Sequence, residues 1–419
     1  MKLGSAFFIA LRYLLGRGRE GGRYLRGAAA GIALSLVPIV VTLIVADGMI
    51  RGIIDRYLEL GTGHVQIANI QDRLNPEAAI PHIEHLPIRG IWSERQGLGV
   101  LLGSTGSRGT AIRAVEKSFL DDEGSSRYLI TLEGEGQLDT PREVLLGAEL
   151  ARSIGASAGS TVMIMTVRSA PGGMFVPRVT PFTVKGIVSS GYQELDSMWC
   201  IMTLEAGIQI LPENAAAHLI VKIDEPFSGS EPMVRTLRTI LGSGFSVYSW
   251  RNLLRAQYSS FQATRQLLLF IMALIVLVAA VNVSSATSML VIERQRDIAV
   301  LKAAGAAPSF TSAIFLWGAF LTGLTGSIFG IAAGLAVGFN INTLVRALET
   351  TLSFISGLFH AGPVMILESG YYLETIPIII NGGVVFLIAL CTIVASVLSS
   401  WIPARRAGKL KPIEILRKY

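Results

Sequence analysis

The chain has 419 residues, 51% of them hydrophobic and only 16% charged, with a mean hydropathy of +0.53. An ordinary soluble domain carries about 25% charged residues, so composition excludes a purely soluble fold and points to a membrane protein. The net charge of +6 would suit a nucleic-acid surface only if it were spread over one, and its clustering, described below, excludes that.

Residues 1–27 come first. Phe7, Phe8, Leu11, Leu14 and Leu15 recur at helical spacing beside Arg12 and Arg17, which predicts an amphipathic helix along the cytoplasmic face. Arg12 interrupts this first apolar patch and the long apolar run starts only near residue 28, so the segment reads as an uncleaved signal anchor.

A bilayer core of about 30 Å needs roughly 20 apolar residues in helical form. Four runs meet that demand: Ala28 to Ala46, Leu267 to Ile292, Phe310 to Val345 and Ile376 to Ile402. The expected segments are spans at 28–47, 265–292, 308–345 and 376–402, a cytoplasmic connection at 293–307, an external loop at 346–375 and a cytoplasmic tail at 403–419. Pro38 is a candidate kink in the first span. Asn282 and Ser284 in the second are polar groups wanting partners.

Gly318, Thr322, Gly326, Gly330, Gly334 and Gly338 draw a ridge of small residues down the third span, which lets another helix approach closely. Its partner reads either as the second or fourth span or as a second subunit. No span carries a charge near its centre, so proton- or ion-coupled transport has no visible machinery and energy must come from elsewhere.

Charge sets the orientation. Lys2, Arg12, Arg17, Arg19, Arg23 and Arg26 precede the first span; Arg294, Arg296 and Lys302 lie between the second and third; Arg405, Arg406, Lys409, Lys411, Arg417 and Lys418 follow the fourth. By contrast residues 48–264 hold 19 basic and 22 acidic side chains, and residues 346–375 are net acidic. Excess positive charge stays inside, which predicts cytoplasmic termini and a large periplasmic domain at residues 48–264, inserted between the first two spans. The fold class is thus a membrane protein of four transmembrane α-helices with a mixed α/β periplasmic domain.

Within that domain Met49 to Leu60 continues the first span as an amphipathic helix and His64 to Ile67 begins a strand. Thr161 to Val167 and Phe182 to Val188 read as paired strands joined by a Gly/Pro-rich loop, Arg168 to Pro181, with an exposed apolar tip and the cation Arg178. Cys200 and Cys391 make no disulfide framework, since Cys391 sits in an apolar run; both read as small hydrophobes. The five histidines are scattered, with His82 and His85 only a weak metal hint. No Gly-x-x-x-x-Gly-Lys-Ser/Thr occurs, so the chain cannot hold ATP in a P-loop.

The connection Glu293-Arg294-Gln295-Arg296-Asp297-Ile298-Ala299-Val300-Leu301-Lys302-Ala303-Ala304-Gly305-Ala306 is a short charged helix with a glycine stop. It resembles the coupling helix of the FtsX-like, MacB-type ABC transporter permease superfamily, with Asp297 for the usual Glu and Ala299 for the usual Gly. The tail Pro403-Ala404-Arg405-Arg406-Ala407 with Pro412-Ile413-Glu414-Ile415-Leu416-Arg417 is similar to the family's terminal pattern. Phe8 to Leu14, and Tyr371-Tyr372-Leu373 before Ile376-Pro377, resemble signatures of the lipoprotein-releasing, LolC/LolE-type branch.

That resemblance implies a non-catalytic, multi-pass inner-membrane subunit that binds no cofactor itself. ATP and Mg would be held by a cytoplasmic ABC ATPase dimer, engaged through Glu293, Arg294, Arg296, Asp297, Ile298, Leu301, Lys302 and Gly305. It further implies a second permease subunit, a homologue or another copy, and a periplasmic lipoprotein carrier captured by a hook at Pro171, Met174, Phe175, Pro177 and Arg178. Lipoprotein would be drawn from membrane lipid into a cavity lined by Val41, Ile44, Met49 and Ile53, residues that read equally as lipid-facing surface. Two alternatives remain at this stage, an exporter of peptides or amphiphilic drugs like the macrolide exporters and a signalling subunit controlling a cell-wall hydrolase.

Overall fold

A computed structural model describes residues 3–15, 21–72, 75–169, 175–212, 215–358 and 376–411. The chain divides into two compact units: Met1–Gly48 with Gln262–Ile355 and Ile376–Tyr419, and Met49–Phe261 with Ser356–Thr375. The first holds helices α1 (Leu3–Leu15), α2 (Gly21–Arg56, which runs on into the second unit), α3 (Arg255–Glu293, which begins there), α4 (Gln295–Ala303), α5 (Pro308–Phe339), α6 (Ile341–Leu358), α7 (Gly382–Ser399) and α8 (Trp401–Lys409). Four of its helical stretches are long and apolar enough to cross a membrane.

The α2 stripe Ile32, Leu36, Ile39 and Leu43, at helical spacing, is buried with Met272, Ala279 and Val283 of α3, Ala319 of α5 and Ile388 of α7. Several hydroxyls in the spans are satisfied locally: Thr287, Thr322, Thr392 and Ser396 each donate to the carbonyl four residues back.

The glycine ridge of α5 meets α2. A Cβ added at Gly326 would lie 2.8 Å from the Ile32 side chain, at Gly330 2.8 Å from Leu36 and 2.9 Å from the Ala33 backbone, and at Gly334 2.7 Å from Val40. At Gly338 it would strike Ile44 at 2.5 Å. The ridge therefore packs on the first span, and neither the second nor the fourth is its partner. Repetition every four residues announces a close approach, but not which helix makes it.

Two apolar runs break earlier than their composition suggests. The third, read as continuous through Val345, stops at Phe339 because the Asn340 side chain donates to the Ala336 carbonyl at 2.9 Å and caps the helix; α6 follows as a separate helix. The fourth helix starts at Gly382 rather than Ile376, with Asn381 as its N-cap accepting from Val384 N–H. At the N-terminus, α1 buries the small edge Ala6, Ala10 and Leu14, while Phe8 stays 65% exposed.

The second unit is built on one ten-stranded mixed sheet: β1 (Val65–Asn69), β2 (Gly90–Leu102), β3 (Ser107–Val115), β4 (Ile130–Gly134), β5 (Glu143–Gly147), β6 (Thr161–Ser169), β7 (Phe175–Ser189), β8 (Trp199–Thr203), β9 (Ala216–Lys222) and β10 (Phe245–Ser249). The order is β10-β1-β9-β2-β3-β8-β5-β7-β4, with β6 bridging β2 and β7. Helix Pro226–Leu241 starts on its own proline, ends at Gly242 with φ +65°, and lays Val234, Leu237 and Leu241 on Val65, Ile67, Leu219 and Val247.

Replacing Gly330 by Ala forces a methyl into the α2 backbone and is expected to cost about 1–3 kcal/mol, read as a lower melting midpoint of the purified protein. Gly31→Ala, where a Cβ meets nothing within 4 Å, should leave the midpoint unchanged. Equal midpoints would overturn the packing role of the ridge.

Candidate functional site

The charged connection forms a compact corner. Arg294 sits outside helical geometry between α3 and α4, with φ −95° and ψ 19°. Its guanidinium reaches Asp297 at 3.1 Å and covers the Tyr13 ring at 5.2 Å. Ile298 and Ala299 are buried, and Leu301 packs against Phe310 and Ile314. Lys302 Nζ donates to the carbonyls of Gly408 and Leu410, both at 2.7 Å. Gly305 ends the corner at φ +90°, a conformation that costs a side-chain-bearing residue far more than glycine.

These contacts sort the sequence-derived coupling residues into two faces. Arg294, Asp297, Ile298, Leu301 and Lys302 bind α4 to α1, α5 and the chain after α8, while Glu293 is half-buried at the end of α3. Arg296 faces solvent, together with Val300 and Ala303 at i+4 and i+7. Val300, 55% exposed, was missed by motif reasoning; its spacing from Arg296 is the signal that could have found it.

The hairpin is longer than its sequence suggests. β6 and β7 pair from Thr161↔Thr183 out to Ser169↔Phe175, so the segment read as a loop from Arg168 to Pro181 is mostly strand, with residues 170–174 outside the described residues. Pro171 and Met174 lie outside the described residues, and of Phe175 only the backbone is described. Alternation places Met163, Met165 and Val167 of β6 beside Pro181, Val179 and Pro177 of β7 on one face. Val167 is 47% and Val179 54% exposed, so the face is an open apolar strip. Arg178 points to the other face, where it donates to the Gln209 carbonyl at 2.9 Å, next to Thr166 bonded to the Ile210 carbonyl.

Residues 269–412 match the FtsX-like permease C-terminal family and residues 27–228 the MacB-like periplasmic core domain. The chain belongs to the FtsX-like, MacB-type ABC transporter permease superfamily. It is similar end to end to "Lipoprotein-releasing system transmembrane protein LolC" of Neisseria meningitidis serogroup B, at 26% identity over 98% of each chain. The protein of the same name from Xylella fastidiosa is 25% identical over 98% of each chain. "Lipoprotein-releasing system transmembrane protein LolE" of Haemophilus influenzae is 22% identical over the whole of both. The permease is of the LolC/LolE type.

Two of the four residues read as a cavity lining are buried within their own units. Ile44 is 1% exposed and occluded by Gly338 of the ridge. Ile53 belongs to the core of the sheet unit with Trp92, Phe119 and Trp199. Val41 and Met49 are half-buried, one in each unit. An apolar groove on the first span is lined by Ala30, Ala33, Leu34 and Val37, with Phe329 and Ala333 of α5 and with Leu14 and Arg26 at its N-terminal end, and measures about 640 Å³.

A second set of functional candidates had no sequence signature. The six residues after α2, Tyr57–Thr62, form a π-helix, a geometry that recurs at functional positions. Glu59 on this turn accepts from the fully buried Lys222 Nζ at 2.8 Å and from Arg89 at 2.9 Å. Lys222 also reaches Asp122 at 2.6 Å, and His64 meets Glu59 at 3.2 Å. The His64 Nδ1 accepts from Ile223 N–H at 2.9 Å, so the Nε2 proton faces the carboxylate. Beside this cluster, Arg113 grips Glu94 through two contacts of 2.7 Å and donates to the Leu60 carbonyl.

Burial opposes ionisation of Glu59, but hydrogen bonds from His64 and Lys222 outweigh it and bring its pKa down to about 2. Asp122 is likewise opposed by burial, yet lowered overall by Lys222 and the Ser125 N–H. Because both are depressed, their contribution is complete above the unfolded carboxylate range of about pH 4 and is lost as pH falls toward 2. Lys222→Met leaves two carboxylates without their buried cation and is expected to cost about 3–5 kcal/mol at pH 7. Tryptophan fluorescence melts should show that loss shrinking on acidification to pH 4, since the two carboxylates, left with the exposed Arg89 and with His64, protonate more readily. A melt at pH 7 matching the unsubstituted permease would overturn the assignment.

Proposed function

We propose that this permease releases lipoproteins from the outer leaflet of the inner membrane to a periplasmic carrier, using ATP hydrolysed by a separate cytoplasmic ATPase dimer. The observation that carries the reading is the end-to-end similarity to relatives named as lipoprotein-releasing system proteins. The geometry supports it in three places.

The outward face of α4, Arg296, Val300 and Ala303, offers a cation flanked by apolar surface for the ATPase to dock on. Movement of α4 carries α1 and the segment after α8 with it, through Arg294, Lys302 and the shared apolar cluster. That is the mechanical step, and it requires no nucleotide in this chain.

Withdrawing acyl chains from lipid costs roughly 0.8 kcal/mol per methylene, so they need another apolar surface to move onto. The outer half of the first span, where Val41 and Val45 are half-buried, supplies one half of such a surface. A second permease subunit, a homologue or a second copy, would close it. The apolar strip Met163, Val167, Pro177 and Val179 is the docking face for a carrier that itself shields acyl chains. Arg178 acts by holding the hairpin to Gln209.

Depleting the permease should leave outer-membrane lipoproteins in the inner-membrane fraction. Restoring the wild-type chain should return them, whereas a Val179→Asp chain should capture the carrier at least tenfold less well in pull-downs. Normal lipoprotein sorting under depletion would overturn the proposal. Full carrier capture by Val179→Asp would remove the hairpin from it.

A further inference from the structure

Helix α6 is an 18-residue segment with no apolar partner among the described residues. On a helical wheel of 100° per residue, Ile341, Leu344, Val345, Leu348, Leu352 and Ile355 fall in an arc of about 100°, while Asn342, Arg346, Glu349, Thr350 and Ser353, together with Phe354, lie outside it. Leu344 is 46% and Leu348 52% exposed, and no α6 residue enters a hydrophobic cluster of the described residues.

The level at which α6 starts is fixed by neighbours within its own unit. The apolar run of α2 ends at Asp47, which pairs with Arg265 at 3.2 Å, two residues before the apolar run of α3 begins at Leu267. This ion pair marks one boundary of the apolar slab. Gly338 of α5 lies against Ile44, just inside that boundary. Asn342 at the start of α6 then holds the backbone of Ile376 through two bonds of 3.0 Å, and the next carbonyl, Pro377, abuts Gly48. Helix α6 therefore begins where hydrocarbon gives way to headgroups.

Its 18 residues cannot prolong the span. Helix α5 alone, with 32 residues, is about 48 Å long against a core of about 30 Å. We propose that α6 lies in the bilayer interface at the Asp47 and Gly48 end of the spans, with Leu344, Leu348 and Leu352 in the acyl region and Arg346 and Thr350 toward water. With one Arg and one Glu among its described polar residues, it binds by apolar insertion and needs no anionic lipid. In the orientation proposed above this is the leaflet that holds lipoprotein anchors, but the placement stands on the depth markers and not on that reading.

Spin labels at Leu348→Cys and Thr350→Cys test it in the full-length permease reconstituted in phosphatidylcholine vesicles. The background is Cys391→Ala, with the buried Cys200 left in place. Power saturation should give the label at 348 an oxygen-to-nickel-chelate accessibility ratio at least threefold above that at 350. Equal access of the nickel chelate to both would show a water-exposed helix and overturn the proposal. Shielding of the 348 label from both reagents would show a protein partner on that face and would overturn it equally. Neither outcome bears on lipoprotein sorting, so failure here is distinguishable from failure of the functional reading.

Discussion

The close approach of α5 to α2 governs the arrangement of the membrane unit. Lipid tails are as apolar as leucine, so apolar burial gives two spans little reason to associate, and packing at short range has to supply it. Four glycines from Gly326 to Gly338 remove the side chains that would hold the helices apart, and Ile32, Leu36, Val40 and Ile44 fill the space. With Ile44 committed to the ridge, the open side of α2 toward its Arg26 end is the Leu34 and Val37 side.

A different force holds the segment that follows α2. There Glu59 and the Leu60 carbonyl are gripped by buried cations, Lys222 and Arg113, each with a carboxylate partner of its own. Buried ion pairs contribute little net stability compared with apolar packing of equal volume, but breaking one is costly and their geometry is specific. They suit a place where a helix end must be fixed in register against a sheet. The π-turn carries its own cost in backbone geometry, and the charged grip is what offsets it.

Much of this was readable in the sequence because it depends on local patterns. Apolar run length and the asymmetry of basic residues around Arg26, Arg296 and Arg405 need no tertiary information. The corner at residues 293–306 was legible as a motif, but a motif does not say which side chains face inward: Arg296 is exposed and the Asp297 side chain half-open, while Arg294 and Lys302 are turned into contacts. The hairpin was misjudged because Pro177 and Pro181 look like strand breakers. They sit four residues apart, so both omit a donor on the same edge, and β7 before Thr183 is paired with β6 alone. The cluster of Glu59, Asp122 and Lys222 was invisible, since its members are separated by as many as 163 residues and share no spacing.

The packing around α4 also constrains how force enters the molecule. If α4 were a loose connection, a push on Arg296 and Val300 would be absorbed by bending at Arg294 and Gly305. Instead Arg294 is tied to Tyr13 and Asp297, Lys302 to the carbonyls of Gly408 and Leu410 at the end of α8, and Ile298 to a cluster that includes Leu14, Leu25, Val291 and Phe315. Interiors packed at crystal-like density compress little, so under the proposed function a displacement of α4 would be passed to its neighbours rather than dissipated. Leu25 and Val291 belong to α2 and α3, the two helices that run on into the sheet-bearing unit. A load applied at the outward face of α4 would thus reach both of them through side-chain contact, without relying on the bonded connection at Arg294.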